Sequence, residues 1–204
     1  MAIGTYSELQ AAVAGWLNRT DLTARIPEFI AVGEAKINRK LRTIEQYTAA
    51  DVTVNDEYLD VPADWAQTAN IAHDSDEGGE IEYVTPQQFV EKRRCHPPAG
   101  RPRYYTLEGR RMRFVPVPDS PHPAILSYYK RVPALSGAAP ANWLLASHPD
   151  AYLSAALLAA NTYLRDIEGV TLATAELADI IASMQLADAI DKTSTTPIVR
   201  AQPI

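Results

Sequence analysis

The sequence predicts an α+β protein: a discontinuous α-helical bundle drawn from both ends of the chain, with a β-rich antiparallel insertion between them. Three observations predict it. Apolar residues recur at three- and four-residue intervals near the two ends. The middle, from about Gln46 to Val132, is rich in Thr, Val, Tyr and Ile and punctuated by Pro, Gly and Asp, the composition of short strands. The first two helices carry too few apolar residues to stand alone, so they are expected to pack with the last two. The predicted organisation is residues 1–45 with 134–192 as the bundle, 46–133 as the insertion, and 193–204 as an extended tail. A chain of 204 residues is long enough for such a core.

The first helix is announced by Thr5-Tyr6-Ser7-Glu8, which has the form of a capping box. Leu9, Val13, Trp16 and Leu17 then fall on one face. Pro27 suits the first turn of a second helix, expected over Pro27–Leu41 with a stripe of Phe29, Ile30, Gly33, Ile37 and Leu41. Glu28 near its start and Lys36, Arg39, Lys40 and Arg42 near its end complement the helix dipole.

Strands are predicted at Tyr47–Val54, Tyr58–Val61, Ala66–Ala72, Glu80–Val84, Arg103–Leu107, Arg110–Val115 and Ala124–Arg131. Glu108-Gly109 reads as a tight hairpin turn and Gly78-Gly79 as a second candidate. Thr85-Pro86 opens a short helix through about Lys92. Helix returns after Asn142. A long helix starts at Pro149 and is apolar on most sides from Tyr152 to Ala160, as a helix surrounded by others is. Gly169 is expected to end it. Val170, Ala173, Leu177, Ile180, Met184 and Ala187 form the seam of one more helix, expected at roughly Thr171–Ile190.

Composition narrows the function. Hydrophobic residues are 47% and charged residues 22%, ordinary for a globular protein, and net charge is −6. That acidity argues against a dedicated DNA-binding protein, whose surface must neutralise phosphates. The one cysteine, Cys95, allows no internal disulfide and no multi-cysteine metal cage. The start lacks the basic and apolar runs of a secretory signal. The apolar stretch Ala151–Ala160 is far short of the ~18 residues a membrane span needs, so the chain is expected to be soluble.

Catalytic chemistry finds little footing. His96, His122 and His148 each precede proline, which favours extended or turn backbone and a structural role. Cys95-His96 lacks the two further ligands of a zinc site. There is no GxSxG elbow, HExxH or phosphate-binding glycine loop. No catalytic residue, metal or cofactor is therefore assigned.

Charge is segregated. No lysine or arginine occurs from Thr43 to Glu91, a stretch that holds Asp51, Asp56, Glu57, Asp60, Asp76, Glu77 and other acids. Lys92, Arg93, Arg94, Arg101, Arg103, Arg110, Arg111 and Arg113 follow, opposed only by Glu108. Three readings fit: solvated faces of one sheet, a basic patch interleaved with Tyr104 and Tyr105 for nucleic acid, or complementary surfaces of neighbouring subunits. The last makes Asp56, Glu57 and Asp60 the counterparts of the basic residues across a subunit interface. Tyr128, Tyr129 and Trp143 are expected in the core.

Three segments carry a family resemblance: TYSELQAAVAGWLNRTDLTARIPEFIAVGEAKINRKLR at Thr5–Arg42, PRYYTLEGRRMRFVPVP at Pro102–Pro118, and LSYYKRVPALS with NWLLASHPDAYLSAALLAA at Leu126–Ser136 and Asn142–Ala160. In this order they resemble phage head-to-tail adaptor proteins related to the tail tubular protein A family. The likeness is weakest at 62–101 and after Gly169. It implies a helical bundle with a β-rich insertion and a dodecameric ring beneath the portal protein. It also implies a surface for a tail or nozzle protein, and a channel through which DNA passes without sequence-specific binding. Such a protein is made in the host cytoplasm, ends at the head–tail junction of the virion, and touches no membrane. In the tail, Pro197, Ile198, Val199 and Ile204 are expected to dock on the portal or on a neighbouring subunit. The rival readings are a DNA-binding module of the packaging machinery and a small enzyme without a recognisable motif.

Overall fold

A computed structural model describes residues 3–74 and 79–193. The chain divides into two compact units, one from the described residues of Met1–Ile44 and Val132–Ile204, the other from those of Glu45–Arg131. Helices of both chain ends share one core, and antiparallel sheets occupy the middle, as the sequence predicts.

The helical unit begins with α1, Tyr6–Leu17, whose capping box is formed: Thr5 Oγ1 accepts from Glu8 N, and Glu8 Oε2 accepts from Thr5 N. Leu9 and Val13 are buried and Leu17 is half-buried, but Trp16 is 67% exposed. The expected apolar face is therefore narrower than its spacing suggested. Helix α2, Ile26–Lys40, carries Pro27 in its first turn and buries Ile26, Phe29, Ile30, Gly33, Glu34 and Ile37. A short helix α4, Trp143–Ser147, is capped by Asn142, whose side chain accepts from Leu145 N at 2.9 Å. It leads into α5, Pro149–Leu164, and then α6, Ile167–Thr193. Leu9, Val13, Ile30, Ile37, Leu144, Tyr152, Ala156, Leu177 and Met184 belong to the shared core. At its centre α2 crosses α5 so closely that a Cβ on Gly33 would lie 3.0 Å from the Ala155 carbonyl carbon.

Two expectations here need correction. Gly169 does not end α5. Arg165 does, in the left-handed conformation at φ 59°, its N–H turned back to Asn161 O and Thr162 O. Gly169 sits in the first turn of α6, where its N–H meets Asp166 Oδ1 and a Cβ would strike Asp166 and Asn161. The seam of α6 holds at Ala173, Leu177 and Met184, with Val170 and Ile180 half-buried against the core, but Ala187 is exposed and Ile181 and Asp188 are buried instead.

In the β unit, β1 (Tyr47–Val54), β7 (His122–Lys130) and β3 (Trp65–His73) form an antiparallel sheet in the order β1-β7-β3. A second sheet runs β2 (Tyr58–Asp60), β6 (Arg111–Val115), β5 (Tyr104–Glu108), β4 (Glu82–Tyr83). Val54, Ile71, Tyr105, Met112, Phe114, Leu126 and Tyr128 from the two sheets fill one core. Gly109, at φ 65°, turns the β5–β6 hairpin, a conformation that favours glycine. The β4–β5 pair is parallel, unlike the rest. Helix α3, Pro86–Cys95, lies between these strands and supplies the crossover that parallel pairing needs. Gly78 lies outside the described residues, though Ala72 bridges Glu80 where a turn was expected.

Candidate functional site

The antiparallel register of β2 and β6 sets Tyr58 opposite Arg113 and Asp60 opposite Arg111, and β5 sets Glu108 opposite Arg111. Acidic and basic blocks far apart in sequence thereby meet within one chain. Glu57 Oε1 accepts from Arg113 Nε at 2.7 Å and from Arg93 Nη1 at 3.1 Å. Arg113 Nη1 reaches Glu108 Oε1 at 2.9 Å, and Arg111 Nε lies 3.4 Å from Asp60 Oδ1. Partial burial would lower the Arg113 pKa, but the two carboxylates outweigh it and hold the guanidinium above its ordinary range.

The aromatic neighbours of these cations are engaged too. Arg111 and Arg113 lie over the Tyr58 ring, at 4.5 Å and 5.3 Å from its centre, and Lys92 lies 4.3 Å over Tyr104. Arg110 Nη2 donates to Pro62 O at 2.8 Å and to Ala63 O at 3.1 Å. Asp56 Oδ1 accepts from Glu57 N and so shapes its own turn. Arg101 is half-buried beside His73, Pro102 and Arg103 at a hollow of about 240 Å³. Arg94 and Arg103 are exposed and make no ion pair among the described residues. Asp76, Glu77, Pro197, Ile198, Val199 and Ile204 lie outside the described residues.

The histidines have structural partners. His73 Nε2 meets Pro102 O at 2.7 Å, His122 Nε2 meets Asp119 Oδ1 at 3.1 Å, and His96 Nδ1 meets Lys92 O at 2.9 Å. Burial lowers the His73 pKa. Cys95 is exposed, and among the described residues no group of three His, Cys, Asp or Glu side chains could hold a metal ion.

Two features of the helical unit were missed from sequence. The first is Glu34, buried within the apolar stripe of α2. Its Oε1 accepts from Leu135 N at 2.7 Å and from the Tyr152 hydroxyl at 3.5 Å, while Asn38, one turn on, accepts from Val132 N at 2.8 Å. These two side chains pin the segment that leads to α4. Burial raises the Glu34 pKa against the lowering effect of its Leu135 and Tyr152 hydrogen bonds. Burial also pushes the Tyr152 phenol far above its ordinary range. The sequence signal was an acid inside the run Ile30-Gly33-Ile37.

The second is α6. Residues 167–190 are long and apolar enough to cross a membrane by length and composition, and only 22% of the most apolar window is buried. The apolar stretch Ala151–Ala160 that the sequence singles out lies in α5, not in this helix. Ile167, Leu172, Leu186 and Ile190 are all more than half exposed.

A family profile described as SU10 adaptor protein matches residues 4–201. The chain belongs to the SU10 adaptor protein family. The match runs through the helical and β units alike, and an adaptor family is a structural rather than a catalytic class. The sequence resemblance to adaptors therefore holds at the level of this family, while a relation to tail tubular protein A is a finer statement than the match makes. No curated protein matches the chain.

Proposed function

We propose that this chain is a subunit of a ring that joins the portal of a tailed-phage head to the tail. The family match over residues 4–201 is the observation that supports it. On this reading the ring is a dodecamer related to tail tubular protein A, sits at the head–tail junction, and continues the DNA channel without sequence-specific contact. A tail or nozzle protein binds its far side. The helical unit is the bundle domain and the β unit an inserted domain. Arg94 and Arg103, exposed and outside any ion pair among the described residues, are the cations of the basic block left for a neighbour's acids. Pro197, Ile198, Val199 and Ile204 dock in a groove of the portal or of an adjoining subunit, with Pro197 reducing the cost of ordering.

Co-elution of the full chain with the portal ring of the same virion tests the reading. The full chain should travel with the ring, and a chain lacking 193–204 should bind more weakly. Separate elution of the full chain and the ring would sink the proposal. Undiminished binding by the truncated chain would remove only the role of the tail.

A further inference from the structure

Helix α6 carries two stripes. One, through Ala173, Leu177, Ile181 and Met184, is buried in its own core. The other runs through Glu168, Leu172, Ala175, Asp179, Ala182, Leu186 and Ile190, at intervals of four and three, and every member is exposed. That spacing is the seam of a helix packed against another helix. A helix of 27 residues is about 40 Å long, and along it Leu172, Ala175, Ala182 and Leu186 of the second stripe stand exposed among the described residues.

The same helical unit has a hollow of about 360 Å³ between α2 and α5. Phe29, Val32, Ala159 and Tyr163 supply its apolar lining, with Val32 and Tyr163 about half exposed. Its charges are unlike those of the α6 seam. Glu28 is paired with Arg25, whose guanidinium lies 5.0 Å over the Tyr163 ring. Lys36, half-buried at the rim, and the exposed Arg39 are in no ion pair among the described residues. Burial, and then the like charge of Arg39, lower the Lys36 pKa. On the seam, Glu168 and Asp179, with Glu176 alongside, are acids likewise in no ion pair among the described residues.

We infer that the outer seam of α6 packs into the α2–α5 hollow of a second copy of this chain, with Asp179 meeting Lys36. The two faces complement each other and neither complements itself: a two-fold pairing of seams would set Asp179 near Asp179. The contact is therefore head-to-tail, the kind that makes a ring where the rotation between copies closes. The inference rests on the ring reading and deepens it by naming both faces.

Sedimentation of the full chain over a range of concentrations tests it, with far-UV circular dichroism to check folding. The wild-type chain should self-associate, and high salt should weaken the association. Leu172→Asp on one face and Val32→Glu on the other should each weaken it at least about tenfold while leaving the fold intact, as truncation or charging of a central apolar contact does. Lys36→Glu and Asp179→Lys should each weaken it, and the double variant should recover most of the loss. Two substitutions on each face keep the test decisive if one variant fails to fold. A wild-type chain monomeric at every concentration overturns the inference. So does association that none of these variants changes, which would leave the ring reading standing on other faces. Flotation of the chain with neutral lipid vesicles, without self-association, would assign the seam to a membrane and overturn it as well. Failure to co-elute with the portal ring sinks the ring reading whatever the sedimentation result.

Discussion

Replacing Gly33 with Ala should destabilise the protein, and replacing Gly15 with Ala should stabilise it. Both glycines lie inside helices, α2 and α1, where Ala is intrinsically favoured by up to about 1 kcal/mol. They differ in what a methyl group would meet. Around Gly15 there is nothing within 4 Å, so the gain of about 0.5–1 kcal/mol is unopposed. At Gly33 the new Cβ would lie 3.0 Å from Ala155 C, 3.1 Å from Ala155 Cβ and 3.2 Å from Ala155 O. Carbon atoms rest at about 3.5–4.0 Å, so α2 and α5 must part by roughly half an ångström along a well-packed crossing. Two of the three obstructing atoms are backbone and cannot rotate away. Overpacking of this kind costs about 1–3 kcal/mol, so the net loss after a helix gain of about 0.5–1 kcal/mol is roughly 0–2.5 kcal/mol. Urea unfolding of the full chain, followed by circular dichroism, reads both signs as shifts of the midpoint. Ala155→Gly should be energetically coupled to Gly33→Ala, since it removes one of the clashing atoms. A gain at Gly33→Ala matching that at Gly15→Ala, or matching losses at both glycines, would refute the close crossing as the reason for Gly33.

Leu158→Ala should cost about 2–5 kcal/mol, because Leu158 belongs to the shared helical core, and urea unfolding checks it. Arg165→Gly should stabilise by about 1 kcal/mol in the same assay, since the left-handed cap of α5 penalises a side chain and not a glycine. Glu34→Gln should change how stability depends on pH. Burial raises the folded-state pKa of Glu34 above its unfolded value, so the native state binds the proton more tightly. The carboxyl therefore lowers stability as pH rises from the ordinary carboxylate range through the folded pKa. Gln keeps an oxygen for Leu135 N and removes that fall, so a variant whose stability follows pH as the wild type's does would show that Glu34 is not its source.

Local chemistry made most elements legible. Thr5 with Glu8, Thr85 with Pro86, and Asn142 each mark a helix start that the structure realises with the expected cap bonds. All seven strands among the described residues fall within a few residues of the positions that alternation and turn residues suggest. What stayed illegible depends on distant partners. The parallel β4–β5 pair follows from a crossover through α3. Gly169 looked like a terminator because glycine often is one, yet its missing side chain makes room for Asp166 and Asn161. The α6 seam was legible through Met184, and only its last member differs: Asp188, whose Oδ1 accepts from Ile44 N, is buried where Ala187 was expected.

The charged blocks show the same limit from the side of function. Along the chain they look like two patches of opposite sign, and two such patches invite a partner. Whether they face outward is decided by strand register, which composition does not carry. The register of β2 against β6 lays Asp60 on Arg111, with Glu57 reaching Arg93 and Arg113, so much of the attraction is used inside the β unit. The exposed pair Arg111–Asp60 contributes little to folding, about 0–1 kcal/mol, and all of these pairs compete with any partner that would claim the same arginines. A surface whose charges are paired at home is a poor place to look for the strongest assembly contact. Unpaired charge beside exposed apolar area is a better one. Among the described residues of the helical unit that combination occurs at the α6 seam, around Leu172 and Asp179, and at the hollow beside Val32 and Lys36.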